Sequence, residues 1–273
     1  MMMKISKILN NNAVIVRDGD EEKIAIGTGV AFDKKKNDIV NPNKIEKLFV
    51  IEDKEKLQQL LSRIPEEYLL ISEKIISYAE KQLGTKLNDH IHIILTDHIS
   101  FTIERELEGI HLRNKLLNEI KILYWSEFEI GLWAINYINE KLHINIPEDE
   151  AGFIALHIHT MKPKSKNLKE TIYQTTIIKD MVEIIKNHLS IRVEEDDLAY
   201  HRLVTHLRYA LTRVKEYEIR TLDDEMIVMI KNKLPISYQC ALAVAKEVSG
   251  KYNIHLSEEE LAYIALHIER LRK

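Results

Sequence analysis

The chain repeats itself, and that limits its fold more than any other feature. "LTDHISFTIER" (95–105) returns as "LVTHLRYALTR" (203–213), an offset of 108. "FEIGLWAINYINEKLHINIPEDEAGFIALHI" (128–158) returns as "YQCALAVAKEVSGKYNIHLSEEELAYIALHI" (238–268), an offset of 110. Both copies set apolar residues three and four apart, the period of a helix with one buried face. Two copies are too few for a solenoid, so the pattern predicts two related all-α bundles.

The first fifty residues have another texture. "AVIV" (13–16) and "EKIAIG" (22–27) flank "RDGDE", whose Asp-Gly is a hairpin signal. "GTGVAF" (27–32) reads as a further strand, "DKKKND" (33–38) as a charged turn and "KIEKLFVI" (44–51) as a last strand. A sheet of four short strands buries little surface alone, so it is expected to dimerise. From about residue 56 the period turns helical, in "EKLQQLLSRI", "LLISEKIISYAEKQLG", "HIHIILTDHISFTIEREL", "LLNEIKILYW" and beyond. "KPKSKNLK" (162–169) interrupts it as a linker. The expectation is therefore a multi-domain chain. A small antiparallel β domain (1–56) precedes two homologous helical-bundle domains (57–168 and 169–273).

Composition narrows the function. With 273 residues, 45% hydrophobic and 30% charged, the chain suits a globular protein. Net charge is −4, and a small asymmetry along the chain permits a polyanion partner for the first segment without demanding one. Cys240 is the single cysteine, which fits a reducing compartment. "MMMKISKILNNN" lacks a secretory h-region, and no run of about 18 apolar residues appears, so a cytoplasmic protein without a membrane span is expected. There is no GxSxG, no HExxH and no paired CxxC, and no helix with a GxxG pattern follows "GTG" (27–29). An enzyme is not expected, and a metal-dependent helical-bundle enzyme is the weakest alternative.

Four histidines stand at matched positions. His98 aligns with His206 and His157 with His267; Arg105 aligns with Arg213. In the last helix of each copy, Ala151, Ile154, Ala155 and Ile158, or Leu261, Ile264, Ala265 and Ile268, form the core stripe. His157 and His267 lie beside that stripe, toward a second apolar face. Arg105 and Arg213 lie two turns beyond His98 and His206, within reach of an anion near the imidazole, directly or through a neighbour. His157 and His159 point about 200° apart on a helix, which argues against a metal pair. Two readings of the residues stay open: inert core histidines, or a switch worked by phosphorylation, which adds roughly two negative charges.

These residues carry a family resemblance. "KILNNNAVIV" and "GTGVAFDKKKNDIV", then "LTDHISFTIER" and "DEAGFIALHIHT", then "LVTHLRYALTR" and "ELAYIALHIER", resemble the BglG/SacY family of transcriptional antiterminators, most nearly its sucrose-responsive members. The resemblance spans essentially the whole chain. It implies a dimeric RNA-binding β domain that stabilises a hairpin in nascent mRNA against an overlapping terminator. It also implies two domains regulated by the sugar phosphotransferase system, and no cofactor. RNA contacts carry over to Lys7, Asn10, Asn12, Gly27, Thr28 and Phe32; many members have Arg where Thr28 stands. Phosphorylation sites carry over to His98, His157, His206 and His267, with Asp97, Arg105 and Arg213 in support; Thr205 replaces the aspartate in the second copy. The resemblance implies that the sugar permease governs phosphorylation of the first pair, which inactivates. The general phosphocarrier acts on the second pair, which often activates. A DNA-binding activator with the same regulatory domains is the alternative, but the β segment leaves no room for a helix-turn-helix.

Overall fold

A computed structural model describes residues 3–19, 21–50, 54–61, 63–194, 197–216 and 222–272. The chain divides into two compact units, residues 1–114 with 126–166, and residues 115–125 with 167–273.

The first unit opens with an antiparallel sheet in the order β1 (Lys4–Asn10), β2 (Ala13–Asp18), β3 (Glu21–Ile26) and β4 (Lys47–Phe49). A two-residue turn, Asn11-Asn12, joins β1 to β2 between the pair Asn10↔Ala13, and β2 and β3 close on the pair Asp18↔Glu21 after Gly19. Side chains alternate along a strand, and in the central strands β2 and β3 both faces contribute buried residues. Ala13, Ile15, Ile24 and Ile26 pack with Leu61 and Leu69 from the helices that follow. Val14, Val16 and Ala25 pack with Val30, Ala31 and Val40 from the loop after β3. Ile8 and Leu48, on the outer strands, stay exposed.

Two strand expectations are corrected. Residues 27–32 are not a strand. Val30 N, Phe32 N and Lys34 N donate to Gly27 O, Gly29 O and Ala31 O, winding the segment into consecutive turns. Gly29 has φ +63°, left-handed backbone that ends extended structure. Gly27 lies so close to Lys44 that a Cβ there would stand 1.9 Å from the Lys44 carbonyl oxygen. The missing strand is β1, whose alternation is broken by bulges at Ile5/Lys7 and Ile8/Asn10. The last strand is only Lys47–Phe49, and Ile51 lies outside the described residues.

The rest of this unit is α1 (Lys54–Leu61), α2 (Glu66–Leu83), α3 (Ile91–Leu107), α5 (Trp125–Leu142) and α6 (Glu148–Thr160). The second holds α4 (Leu117–Leu123), α7 (Leu168–Leu189), α8 (Leu198–Glu216), α9 (Asp224–Lys233), α10 (Pro235–Tyr252) and α11 (Glu258–Arg272). α4 is tied there by side chains: Tyr200 Oη donates to Glu119 Oε1 (3.3 Å) and Arg208 Nη1 to Leu123 O (3.1 Å). α6 and α11 each open on three acids, Glu148-Asp149-Glu150 and Glu258-Glu259-Glu260. Negative charge suits a helix N-terminus, and both sites depend on the last of those acids. No described helix is long and apolar enough to cross a membrane.

Candidate functional site

In the first unit α3 and α6 run antiparallel, so His98 meets His157 and, two turns away, Arg105 meets Glu150. The imidazole centroids are 4.7 Å apart and tilted by 43°. Glu150 is wholly buried. Arg105 Nη2 donates to its Oε1 (2.5 Å) and Thr102 Oγ1 to its Oε2 (2.9 Å). That same Oε2 lies 3.5 Å from His98 Nε2. The anion anticipated near Arg105 is thus a residue of the chain, and it links the guanidinium to the imidazole. Neither His98 Nε2 nor His157 Nδ1, both enclosed, has a hydrogen-bond partner. Leaving buried polar atoms unpaired costs about 1–3 kcal/mol each, which fits a site more than a passive core. Burial, then the His98 ring, push the His157 pKa down to about 4 against the opposing pull of Glu150. At neutral pH the ring is uncharged and keeps a free lone pair.

The second unit repeats the plan on α8 and α11. His206 and His267 stack at 3.8 Å and 20°. Arg213 grips Glu260 with both arms, Nε to Oε1 at 2.5 Å and Nη2 to Oε2 at 2.7 Å. Where the first copy has Thr102, the second has Ala210. With no hydroxyl to share it, Glu260 gives both oxygens to the arginine. His267 Nδ1 is enclosed without a hydrogen-bond partner. Burial, then His206, Arg270 and Arg202, lower the His267 pKa to about 4; burial, Arg213 and Arg270 lower that of His206.

Glu150, Thr102 and Glu260 were not singled out from the sequence. The offset that pairs His157 with His267 also pairs Glu150 with Glu260, and that was the available signal. Asp97 is not drawn into the pair: it is exposed, 4.0 Å from Arg63. Phe101 and Tyr209, three residues after His98 and His206, are 59% and 47% exposed. His159 turns away from His157 and meets Glu127 at 3.0 Å, as the helical angle requires. Burial would raise Glu127, but His159 and Lys162 outweigh it and hold the carboxyl at about 2. Cys240 is buried, and burial pushes its thiol up to about 11, which suits no nucleophile.

The residues expected to touch RNA fall into two groups. Asn10 ends β1 and Asn12 lies in the turn after it, while Gly27, Thr28 and Phe32 lie in the loop after β3, which is bonded to that turn. Asn12 is buried and structural: its Oδ1 accepts from Gly29 N (2.7 Å) and its carbonyl from Gly27 N (2.9 Å). Its Nδ2 donates to Glu66 Oε2 (3.1 Å), and Asn11 N donates to Glu66 Oε1 (3.1 Å). Asn10 Oδ1 accepts from Asn12 N (2.9 Å). Gly27 is buried, while Thr28 is exposed, its N and Oγ1 both donating to Glu46 (3.1 Å). Phe32 is 62% exposed, a large apolar ring on the surface. Lys7 stands apart on β1 and donates to Gln58.

Comparison with known proteins agrees with this layout. A CAT RNA binding domain matches residues 3–58, and a PRD domain matches twice, at 73–161 and 179–271. The chain is 40% identical over 276 residues to the transcription antiterminator LicT of Bacillus subtilis (strain 168), covering 99% of each. It is 38% identical over 275 residues to a beta-glucoside operon antiterminator of Dickeya chrysanthemi, covering 99% of this chain and 97% of the other. A crystal structure of GlcT CAT-PRDI superposes with a TM-score of 0.56 at 37% identity, covering 59% of this chain and 98% of that one.

Proposed function

The chain belongs to the BglG/SacY family of transcriptional antiterminators, an RNA-binding CAT domain followed by two PRD domains, and from that premise we propose how it works. As a homodimer in the cytoplasm, its β domain binds a hairpin in nascent mRNA. The bound hairpin excludes an overlapping terminator upstream of sugar-utilisation genes. Relatives named as regulators support a role without catalysis. One relative's name supports the β-glucoside class of sugar over sucrose.

Control lies in the histidines. His98 and His157 take phosphoryl groups in a step that depends on the sugar-specific permease, and His206 and His267 take them from the general phosphocarrier. The observation that carries this reading is the opposed imidazole pair, found in both units. An acceptor must offer a nitrogen lone pair, and rings whose pKa lies well below neutrality do so. The sign at the first pair follows from Glu150. Unit charges 4 Å apart repel by about 4 kcal/mol at an effective dielectric near 20. A phosphoryl group on His98 carries nearly two charges and meets a buried carboxylate already 3.5 Å from the ring. The pair is pushed open, which switches the protein off.

RNA recognition is tested by titrating the full chain with its cognate leader hairpin and with a scrambled hairpin of equal length. Preference for the cognate hairpin by tenfold or more is expected. Equal binding to both contradicts the reading.

A further inference from the structure

The second histidine pair has neighbours that the first lacks. α8 and α11 pack antiparallel, with His206 opposite His267 and Arg213 opposite Glu260. The same register, one turn beyond the imidazoles on the side away from Glu260, sets Arg202 opposite Arg270. Arg202 precedes His206 by four residues and Arg270 follows His267 by three, so each shares a face with its histidine. Both arginines are exposed, and among the described residues neither makes a hydrogen bond or an ion pair. In the first unit the matching positions hold Ile94 and Thr160. At the matched positions the first pair thus has no cation one turn away, whereas the second has Arg202 and Arg270, both close enough to act on the charge of His267 and, among the described residues, without a counter-ion. Like charges set together repel, and a dianion between them removes the repulsion and accepts their forked hydrogen bonds.

We propose that Arg202 and Arg270 cradle a phosphoryl group carried by His206 or His267, so that phosphorylation closes this pair where it opens the first. This rests on the phosphorylation reading above. The donor is any phosphorus–nitrogen compound, a phosphorylated carrier histidine or phosphoramidate. The lone pair of the accepting ring nitrogen attacks phosphorus, and the donor's phosphorus–nitrogen bond breaks. The donor enters protonated, on the amine nitrogen or on the imidazole's other nitrogen, so it leaves neutral with that electron pair, and the second nitrogen of the acceptor keeps its proton. In His267 the acceptor is Nε2, because Nδ1 is enclosed.

The test loads full-length protein with phosphoramidate. Mass spectrometry then follows the phosphoryl group on each histidine through time, and hydrogen exchange follows the amides of α8 and α11. In the wild type the group on His206 or His267 should outlast that on His98 or His157, and exchange over α8 and α11 should slow. In the Arg202→Gln, Arg270→Gln variant the lifetime at the second pair should fall about five- to tenfold and the slowing should vanish, with the first pair unchanged. Lysine at both positions should restore part of the lifetime, keeping charge without the fork. Equal lifetimes and equal exchange in wild type and the glutamine variant overturn the cradle and leave phosphorylation standing. Absence of any phosphoryl group on both rings overturns cradle and phosphorylation reading together.

Discussion

An imidazole enclosed among apolar side chains resists protonation, and stability then depends on pH. The His157 pKa of about 4 lies below its ordinary value of 6.5. Between those values the unfolded chain binds more protons than the folded one, so stability falls as pH drops through that window and is flat above it. The expected loss between pH 7.5 and pH 5 is roughly 2 kcal/mol from this ring. Urea unfolding at the two pH values should show it, and His157→Gln should remove that share. The two arginines also differ. Arg105 is 6% exposed against a wholly buried carboxylate, while the Arg213 side chain is 33% exposed. Breaking a buried pair strands a charge, so Arg105→Ala should cost about 3–5 kcal/mol and Arg213→Ala clearly less, read as urea midpoints. The histidines were legible in the sequence because duplication marked them. Glu150 was not, because an acid in a first turn already has a sufficient reason to be there.

The β domain shows how elements escape pattern reading. β2 and β3 were legible: their alternating residues are apolar on both faces, and Gly19 marks the turn between them. β1 was not, since bulges shift its phase, and "GTGVAF" looked extended because no alternation reveals a φ of +63° at Gly29. That loop is held by Asn12, so two residues expected to touch RNA should behave differently. Phe32→Ala should weaken hairpin binding by about 1–3 kcal/mol without lowering the melting temperature. Asn12→Ala should lower both, because Gly29 N loses the acceptor that holds the loop. Glu66, at the start of α2, occupies the asparagine turn through Asn11 N and Asn12 Nδ2. Freeing that turn should strengthen RNA binding, so Glu66→Ala should lower the dissociation constant by up to about thirtyfold, two hydrogen bonds at about 1 kcal/mol each being released. Fluorescence anisotropy with a labelled hairpin measures it, and an unchanged or weaker affinity contradicts it.

Across the whole molecule, the change of period near residue 56 and the offset of 108–110 were enough to read a β domain and two helical bundles. The grouping of α4 with the second unit was not readable, because "LNEIKIL" has the same helical period whichever neighbour it packs on. Duplication supplied two copies of one device, and a few substitutions separate them. Thr102 against Ala210 decides whether the carboxylate is shared with a hydroxyl or gripped by arginine alone. Ile94 and Thr160 against Arg202 and Arg270 decide whether a free cation waits beside the imidazoles. Under the function proposed above, one scaffold would answer phosphorylation with opposite signs. The most direct test is terminator read-through from the cognate leader in cells, comparing His98→Asp and His157→Asp with His98→Ala and His157→Ala. The aspartates should lower read-through and the alanines should make it independent of sugar. Read-through equal to wild type in all four variants contradicts control by the first histidine pair.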